Sequence, residues 1–317
     1  MTAIPLPIEE RLSIVIPAYN EEQGIGPTLR DLLARLPRAE IIVVDDGSTD
    51  RTADVVAEFP EVILVQHPFN RGYGGALKTG MTVASREFVA WFDADNEHRV
   101  DDLVAMAERL AAERVAAIIA QRSRSGPSPL RNWGKALIRM LARSLDFRAG
   151  KDINCGLRVF RREVILHYQS LLPNGFSASI TSTIIMLERG YPVAFHPVEL
   201  NRRIGTSKVR VGDGLMAMML VLRIVMLFAP LRIFLRVGLP LAVFGLCYGV
   251  ISALITGRGV PTGAVGVTLG GGLTCFFGLI ADQISQMRLA GYDQPIYRIR
   301  AGRAQGDVRA PDRQGVP

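Results

Sequence analysis

Cysteine is scarce in this chain. The three present, Cys155, Cys247 and Cys275, are scattered through 317 residues with no C-x-x-C pair. That spacing excludes a disulfide framework and a thiolate zinc site, and the two in the apolar C-terminal third read as small hydrophobes. Met1 to Arg11 lack the basic segment and apolar run of a secretory leader, so the polar part of the chain is expected in the cytosol. No nucleic-acid motif accompanies the formal charge of +7, and nucleic acid is not expected as a partner. Charge is absent altogether from Val237 to Gly257 and again from Gly259 to Ala281. Each stretch is close to the ~20 residues that cross a bilayer as a helix, and soluble core helices seldom run so long without charge.

The turn between these stretches, Gly257-Arg258-Gly259-Val260-Pro261-Thr262-Gly263, makes them a hairpin with both ends on one side. Arg232, Arg236, Arg288, Arg298, Arg300 and Arg303 flank the pair, against Arg258 alone in the turn. The positive-inside rule then predicts both ends in the cytosol. Asp213 to Phe234 is apolar but broken by Arg223, Pro230 and Arg232, which predicts helices lying in the headgroup layer rather than a third span. The expected organisation is a cytosolic domain over 1–212, interfacial helices over 213–235, a transmembrane hairpin over 236–286 and a cytosolic tail over 287–317. The tail is polar and Arg-rich and is expected to be disordered from Gly302.

The first two hundred residues alternate strand and helix patterns. Leu12 to Pro17, Ile41 to Asp46, Val62 to Gln66, Glu87 to Phe92 and Val115 to Ala120 read as buried strands. Helices are expected at Glu21 to Leu36, from a Thr49 or Asp50 cap to Phe59, at Gly75 to Ser85 and at Val100 to Glu113. A loop follows at Ser123 to Arg131, an amphipathic helix at Asn132 to Leu145, a short strand or irregular segment at Asp152 to Phe160, a helix at Ala178 to Arg189 and a strand at Val193 to Leu200. This alternation predicts an α/β fold with a mostly parallel sheet and helices on both faces. Ligands of such sheets bind beyond the carboxyl ends of the strands. Pro17-Ala18-Tyr19-Asn20, Asp45-Asp46 and Asp93-Ala94-Asp95 all fall there.

The last of these clusters carries the clearest chemistry. Asp93 and Asp95 end the apolar run Phe88-Val89-Ala90-Trp91-Phe92. Two carboxylates spaced by one residue on a rigid element suit a hard divalent cation, and the cation suits a diphosphate. Gly72, Gly74 and Gly75 lack the following Lys-Ser/Thr of a P-loop. They read as a tight helix entry, with Lys78 facing solvent or diphosphate.

Pro17-Ala18-Tyr19-Asn20-Glu21, Asp45-Asp46-Gly47-Ser48-Thr49-Asp50, Asn70-Arg71-Gly72, Asp93-Ala94-Asp95 and Arg203-Ile204-Gly205-Thr206-Ser207-Lys208 occur in that order. Together they resemble the family-2 inverting glycosyltransferases, in the polyprenyl-phosphate (dolichol-phosphate mannose synthase-like) branch, over about residues 12–210. The hairpin resembles that of bacterial members. The resemblance implies a GT-A fold, a nucleotide-sugar donor (UDP- or GDP-linked) and a polyprenyl phosphate acceptor of undecaprenyl or dolichyl type. It implies donor contacts at Pro17, Tyr19, Glu21, Asp46, Lys78 and Asp93, with Asp45 the more structural of its pair. It implies Mg²⁺ or Mn²⁺ held by Asp93, Asp95 and Glu97. His98, next in line, reads as a solvated surface histidine.

A phosphate acceptor is already an anion at pH 7 and needs no general base. It needs cations that position it, and arginine's fork suits phosphate oxygens. Arg122 and Arg131, with Arg124 between them, and Arg203, Ser207 and Lys208 stand where the resembled branch binds acceptor or diphosphate. Asp152 matches an acidic position of the family and is expected to orient acceptor or sugar. Asp95, Asp152, Arg122 and Arg131 form the expected catalytic group. The lipid bilayer is an expected partner and a homo-oligomer an open option. A processive polysaccharide synthase of the same superfamily is the first alternative, but its Gln-x-x-Arg-Trp motif is missing. A catalytically silent scaffold is the second, and the intact acidic pair argues against it.

Overall fold

The computed structural model describes residues 6–122, 155–201, 226 and 230–290. Seven strands form one sheet in the order β3-β2-β1-β4-β6-β5-β7. They are β1 Leu12–Ala18, β2 Glu40–Asp45, β3 Ile63–Gln66, β4 Phe88–Trp91, β5 Ala117–Arg122, β6 Arg158–Arg161 and β7 Val193–Val198. Every pairing is parallel except the two made by β6, which runs antiparallel between β4 and β5. All the other strands therefore end at one edge, and β6 begins there.

The central strands β1, β2 and β4 are near-continuous apolar runs because both of their faces are covered. Alternate residues serve the two layers. Ile14, Ile16, Ile41, Val43, Phe88 and Ala90 pack on one face against α1 (Ile25–Arg35) and α4 (Val100–Ala112), through Leu29, Leu32, Leu103, Met106 and Leu110. Val15, Ile42, Val44, Val89, Trp91 and Phe160 face α3 (Tyr73–Val83), α5 (Arg162–His167) and α6 (Ala178–Glu188). The short α2 (Thr52–Ala57) adds Val56 to the first layer. Gly80 lets α3 press onto the sheet, since a Cβ there would lie 2.3 Å from Val15 Cγ1.

Most elements fall within a few residues of expectation. The first helix begins at Ile25 rather than Glu21, because residues 20–24 form a tight turn. Asn20 has a positive φ of 52°, the Glu21 N–H is taken by Thr52 Oγ1 at 2.8 Å, and Gly24 packs on Ala94. Neither Thr49 nor Asp50 is the cap of α2. Arg51 holds that position, while Asp50 Oδ1 accepts from the Thr52 N–H at 3.0 Å. The helix α5 was not anticipated; six residues are too few to show a period.

The last two described helices are α7 (Pro230–Thr256) and α8 (Thr262–Ala290). Both are long and apolar enough to cross a membrane. The first begins seven residues before its uncharged stretch, so Arg232 and Arg236 lie within α7, and the second runs on past its stretch to Ala290. Small residues let the backbones meet. A Cβ on Gly271 would lie 2.3 Å from Ala242 N, one on Gly245 2.6 Å from Thr268 N, and one on Gly238 2.7 Å from Cys275 Sγ. Leu246, Leu254, Phe276 and Phe277 point outward and are exposed.

Candidate active site

The parallel order reverses at β1. The chain builds β2 and β3 on one side of it and β4 on the other. Such a reversal opens a crevice at the carboxyl ends of the two central strands. Here it lies between Tyr19-Asn20 after β1 and Asp93-Ala94-Asp95 after β4. Both sides of this crevice are stapled together. Thr28 Oγ1 donates to the carbonyls of Gly24 and Ala94, at 2.9 and 3.1 Å. A side chain on Gly24 would collide with Ala94 O. Pro17 lies inside β1, in register with Val44, and Tyr19 stands partly exposed at the rim.

Asp46 is buried and its carboxylate is closely held. Oδ1 accepts the Arg71 N–H and Oδ2 the Gly72 N–H, both at 2.8 Å. His67 Nδ1 lies 2.7 Å from Oδ1, and His67 Nε2 lies 2.9 Å from Thr79 Oγ1. The preceding Asp45 receives the Ser48 N–H at 3.0 Å. Asn20 completes the turn by accepting from the Thr49 N–H at 2.8 Å. The Asp45-Asp46-Gly47-Ser48 segment, the Asn70-Arg71-Gly72 segment and the Tyr19-Asn20 turn are thus one hydrogen-bonded unit.

The glycines after Asn70 form a helix entry, as expected, and the structure supplies their reason. A Cβ on Gly72 would meet Asn174 O at 2.6 Å, and one on Gly74 would meet Pro173 O at 2.1 Å. The entry of α3 docks directly on the Pro173-Asn174-Gly175 turn, with the Gly75 N–H donating to Asn174 O at 3.1 Å. Lys78 belongs to the same contact, and its Nζ donates to Leu172 O at 3.2 Å.

Asp93 is half-buried and Asp95 buried. Tyr73 Oη donates to Asp93 Oδ1 at 3.1 Å. Burial, and then the Asp93 carboxylate, push the Tyr73 phenol well above its ordinary pKa, so it stays a donor. Asp95 Oδ1 accepts the Glu97 N–H at 3.1 Å, and Asn96 turns the chain with a φ of 58°.

The sequence pointed to three carboxylate ligands. Among the described residues no three His, Cys, Asp or Glu side chains gather closely enough to hold an ion. The Glu97 backbone is bonded on both sides, its N–H donating to Asp95 Oδ1 and its carbonyl accepting the Asn201 N–H at 2.9 Å. Two carboxylates still fit Mg²⁺ or Mn²⁺. Mg²⁺ characteristically takes one or two carboxylates and leaves its other positions to phosphates and water.

His98 is not a solvated surface group. It is 3% exposed, against Phe92, with Nε2 3.6 Å from Asp93 Oδ2. Burial alone lowers its pKa, but Asp93 and Cys155 outweigh that and raise it to about 10.

Arg122 ends β5 at the same edge of the sheet, opposite Val198 of β7. Asp152, Arg131, Arg203, Ser207 and Lys208 lie outside the described residues, as do the helix expected at 132–145 and the tail beyond Ala290, whereas residues 287–290, expected in the tail, continue α8. The expected interfacial segment also lies outside them, apart from Met226 and the residues from Pro230 that belong to α7.

Sequence reasoning missed Tyr73, His67, Gly156 and Arg158. Arg158 is fully buried. Its Nε donates to Cys155 O at 2.8 Å, and its Nη1 donates to Ser182 Oγ and Thr183 Oγ1 at 3.1 and 2.6 Å. Its guanidinium also lies 6.0 Å from the Trp91 ring. Nothing in the local pattern Leu157-Arg158-Val159-Phe160 marks this arginine as interior.

Comparison with known proteins places these features. The profile of Glycosyl transferase family 2 matches residues 13–168, and that of the GtrB C-terminal hairpin matches 229–287. A dolichyl-phosphate beta-glucosyltransferase of Trichomonas vaginalis is 30% identical over 234 residues, covering 65% of this chain and 68% of that protein. A dolichyl-phosphate hexose transferase of Haloferax volcanii is 29% identical, covering 62% and 86%. An undecaprenyl-phosphate 4-deoxy-4-formamido-L-arabinose transferase of Pectobacterium carotovorum is 30% identical, covering 49% and 50%. The match thus spans half of the arabinose transferase and just over two thirds of the glucosyltransferase. Among solved structures, glucosyl-3-phosphoglycerate synthase of Mycobacterium tuberculosis, crystallised with Mn²⁺, UDP and phosphoglyceric acid, aligns with a TM-score of 0.57 at 20% identity. It covers 68% of this chain and 78% of that one. That likeness establishes the GT-A fold.

Proposed function

This chain belongs to glycosyl transferase family 2, and on that premise we propose that it moves a sugar from a nucleoside diphosphate donor to a polyprenyl phosphate. The observation that carries this reading is the acidic pair Asp93 and Asp95. It stands at the switch point of the sheet, in a chain that also holds two apolar helices of membrane-crossing length. The relatives named as dolichyl- and undecaprenyl-phosphate transferases support the acceptor class.

In this reading a phosphate oxygen of the acceptor attacks the anomeric carbon. The bond from that carbon to the donor's β-phosphate oxygen breaks, and the nucleoside diphosphate leaves with inversion. Asp93 and Asp95 would hold Mg²⁺ or Mn²⁺, with Glu97 beside them. The bound ion would neutralise charge on the departing diphosphate. Pro17, Tyr19, Glu21, Asp46 and Lys78 would serve the donor, Asp46 through the Asn70-Arg71-Gly72 segment it holds and Lys78 after leaving Leu172 O. Arg122, with Arg131, Arg203 and Lys208, supplies the cations for the acceptor or the diphosphate, Ser207 offers a hydroxyl beside them, and Asp152 orients acceptor or sugar. The hairpin holds the cytosolic domain, residues 1–212, against the bilayer, where a lipid phosphate can enter from the headgroup layer. Positioning and charge neutralisation supply most of the rate.

The test is nucleotide release by the purified full-length protein. A panel of UDP- and GDP-sugars is offered with and without a short polyprenyl phosphate, in Mg²⁺ or Mn²⁺. The expected result is release with at least one donor that requires the lipid. Polymer formed without added lipid phosphate would favour a processive synthase, and no turnover with any donor would favour a silent scaffold.

A further inference from the structure

We infer that Tyr73 is a positioning residue for the reaction, fixing Asp93 from one side, and that the His67–Asp46 pair acts through the 71–72 backbone to hold Tyr73 in place. This rests on the reading of Asp93 as a donor- and cation-binding carboxylate.

A carboxylate on a loop can rotate about two bonds, and a half-buried one has the space to do so. His98 Nε2 lies 3.6 Å from Asp93 Oδ2, and two further features restrict the carboxylate. On one side is Gly156, where a Cβ would sit 2.1 Å from Asp93 Oδ2. On the other, Tyr73 Oη donates to Oδ1 at 3.1 Å. The phenol thus leaves Oδ2 on the side away from it and fixes the plane of the group.

Tyr73 is itself held at both ends. Its ring stacks on Phe176, with centroids 5.3 Å apart and planes 22° from parallel. Its backbone follows Arg71 and Gly72, whose two N–H groups both end on Asp46. Asp46 in turn is gripped by buried His67, whose second nitrogen reaches Thr79 on the same helix as Tyr73. The carboxylates after β2 and β4, separate in sequence and on strands that do not pair with each other, are thereby joined by one short path. It runs His67, Asp46, Gly72, Tyr73, Asp93. Groups that orient a metal-binding carboxylate matter almost as much as the ligand itself.

The experiment uses full-length protein and three variants: Y73F, H67A and the double variant, with H67N as the conservative control. Y73F keeps the ring, the stack and the helix entry, and removes one hydroxyl. Binding of Mn²⁺ with UDP, and separately with GDP, is measured by calorimetry, alongside lipid-dependent nucleotide release. Y73F is expected to weaken Mn²⁺ binding or kcat by about 10-fold or more, with the KM for the lipid and the thermal midpoint unchanged. H67A should do the same, and H67N, which keeps a donor toward Asp46, should recover part of the loss. Because the two residues act along one path, the double variant should be no worse than the poorer single variant. Y73F that binds Mn²⁺ and turns over like wild type overturns the inference and leaves the functional reading standing. Losses that multiply in the double variant overturn the path from His67 to Tyr73. Wild-type protein that binds neither nucleotide with Mn²⁺ overturns the reading of the site, and this inference with it.

Discussion

Gly156 and Asp93 face each other across the ends of β6 and β4, so closely that a Cβ on residue 156 would come 2.1 Å from Asp93 Oδ2 and 2.9 Å from its Cγ. Asp93 lies two residues past the end of β4 and Gly156 two before the start of β6, continuing the line of the antiparallel pair Trp91↔Arg158. The glycine is the space into which the carboxylate folds.

Gly156→Ala should therefore act on Asp93 before it acts on the fold. The clashing atoms are the far end of a half-exposed side chain, which can swing away. The variant is expected to keep its circular dichroism spectrum and thermal midpoint. Lipid-dependent nucleotide release should fall by about 100-fold, the scale of a misplacement near 1 Å. Retention of activity would show that Asp93 need not occupy this position.

Asp95→Asn tests the cation more directly. Asp95 is buried, and its Oδ1 serves the Glu97 N–H, a bond the amide oxygen can replace. The fold and membrane association should survive. Transfer should drop by roughly 10²–10³-fold, and calorimetry should show Mn²⁺ uptake lost. Wild-type-like turnover would remove the cation from the mechanism.

The hairpin offers a paired comparison. Gly271 packs against the α7 backbone, whereas nothing lies within 4 Å of a Cβ on Gly266. Gly271→Leu should destabilise the detergent-solubilised protein by about 1–3 kcal/mol, as overpacking does. Gly266→Leu should leave the thermal midpoint in place. Both should still bind Mn²⁺ with nucleotide, since the acidic pair is built by the sheet. Equal effects of the two variants would show that the helices do not meet at Gly271.

Acid stability should carry the signature of Glu40. Burial raises the pKa of this carboxyl, but hydrogen bonds from Ser13 Oγ, Ser85 Oγ and the Ser85 N–H outweigh it and leave it below its ordinary 4.5. A carboxylate with a depressed folded pKa stabilises the native state above its unfolded value and loses that contribution as pH falls through the folded one. The contribution should be complete above about pH 4.5 and disappear below it. In urea unfolding at a series of pH values, Glu40→Gln should be less stable than wild type at pH 7. The gap should narrow as the pH drops below 4.5.

The layered sheet was readable because strands buried on both faces must be apolar throughout, so runs such as Leu12 to Ile16 and Phe88 to Phe92 announce themselves. The acidic pair was readable because it interrupts such a run. What escaped depends on neighbours distant in sequence. His98 looks like a surface histidine until β4 and the Cys155 segment are brought together around it. Tyr73 looks like any residue at the head of a helix until its hydroxyl is seen on Asp93. Arg158 reads as a surface charge, and only the insertion of β6 between β4 and β5 makes it interior. Glu97 reads as a third ligand from spacing alone, and spacing does not show that no three His, Cys, Asp or Glu side chains gather among the described residues.

The reversed direction of β6 has a further outcome. The chain departs the sheet at Arg122 and rejoins it at Arg158, and both points lie at the rim where the crevice opens. Every pairing among the seven described strands is made by residues outside 123–154, so the frame that carries Asp93 and Asp95 owes none of its register to that stretch.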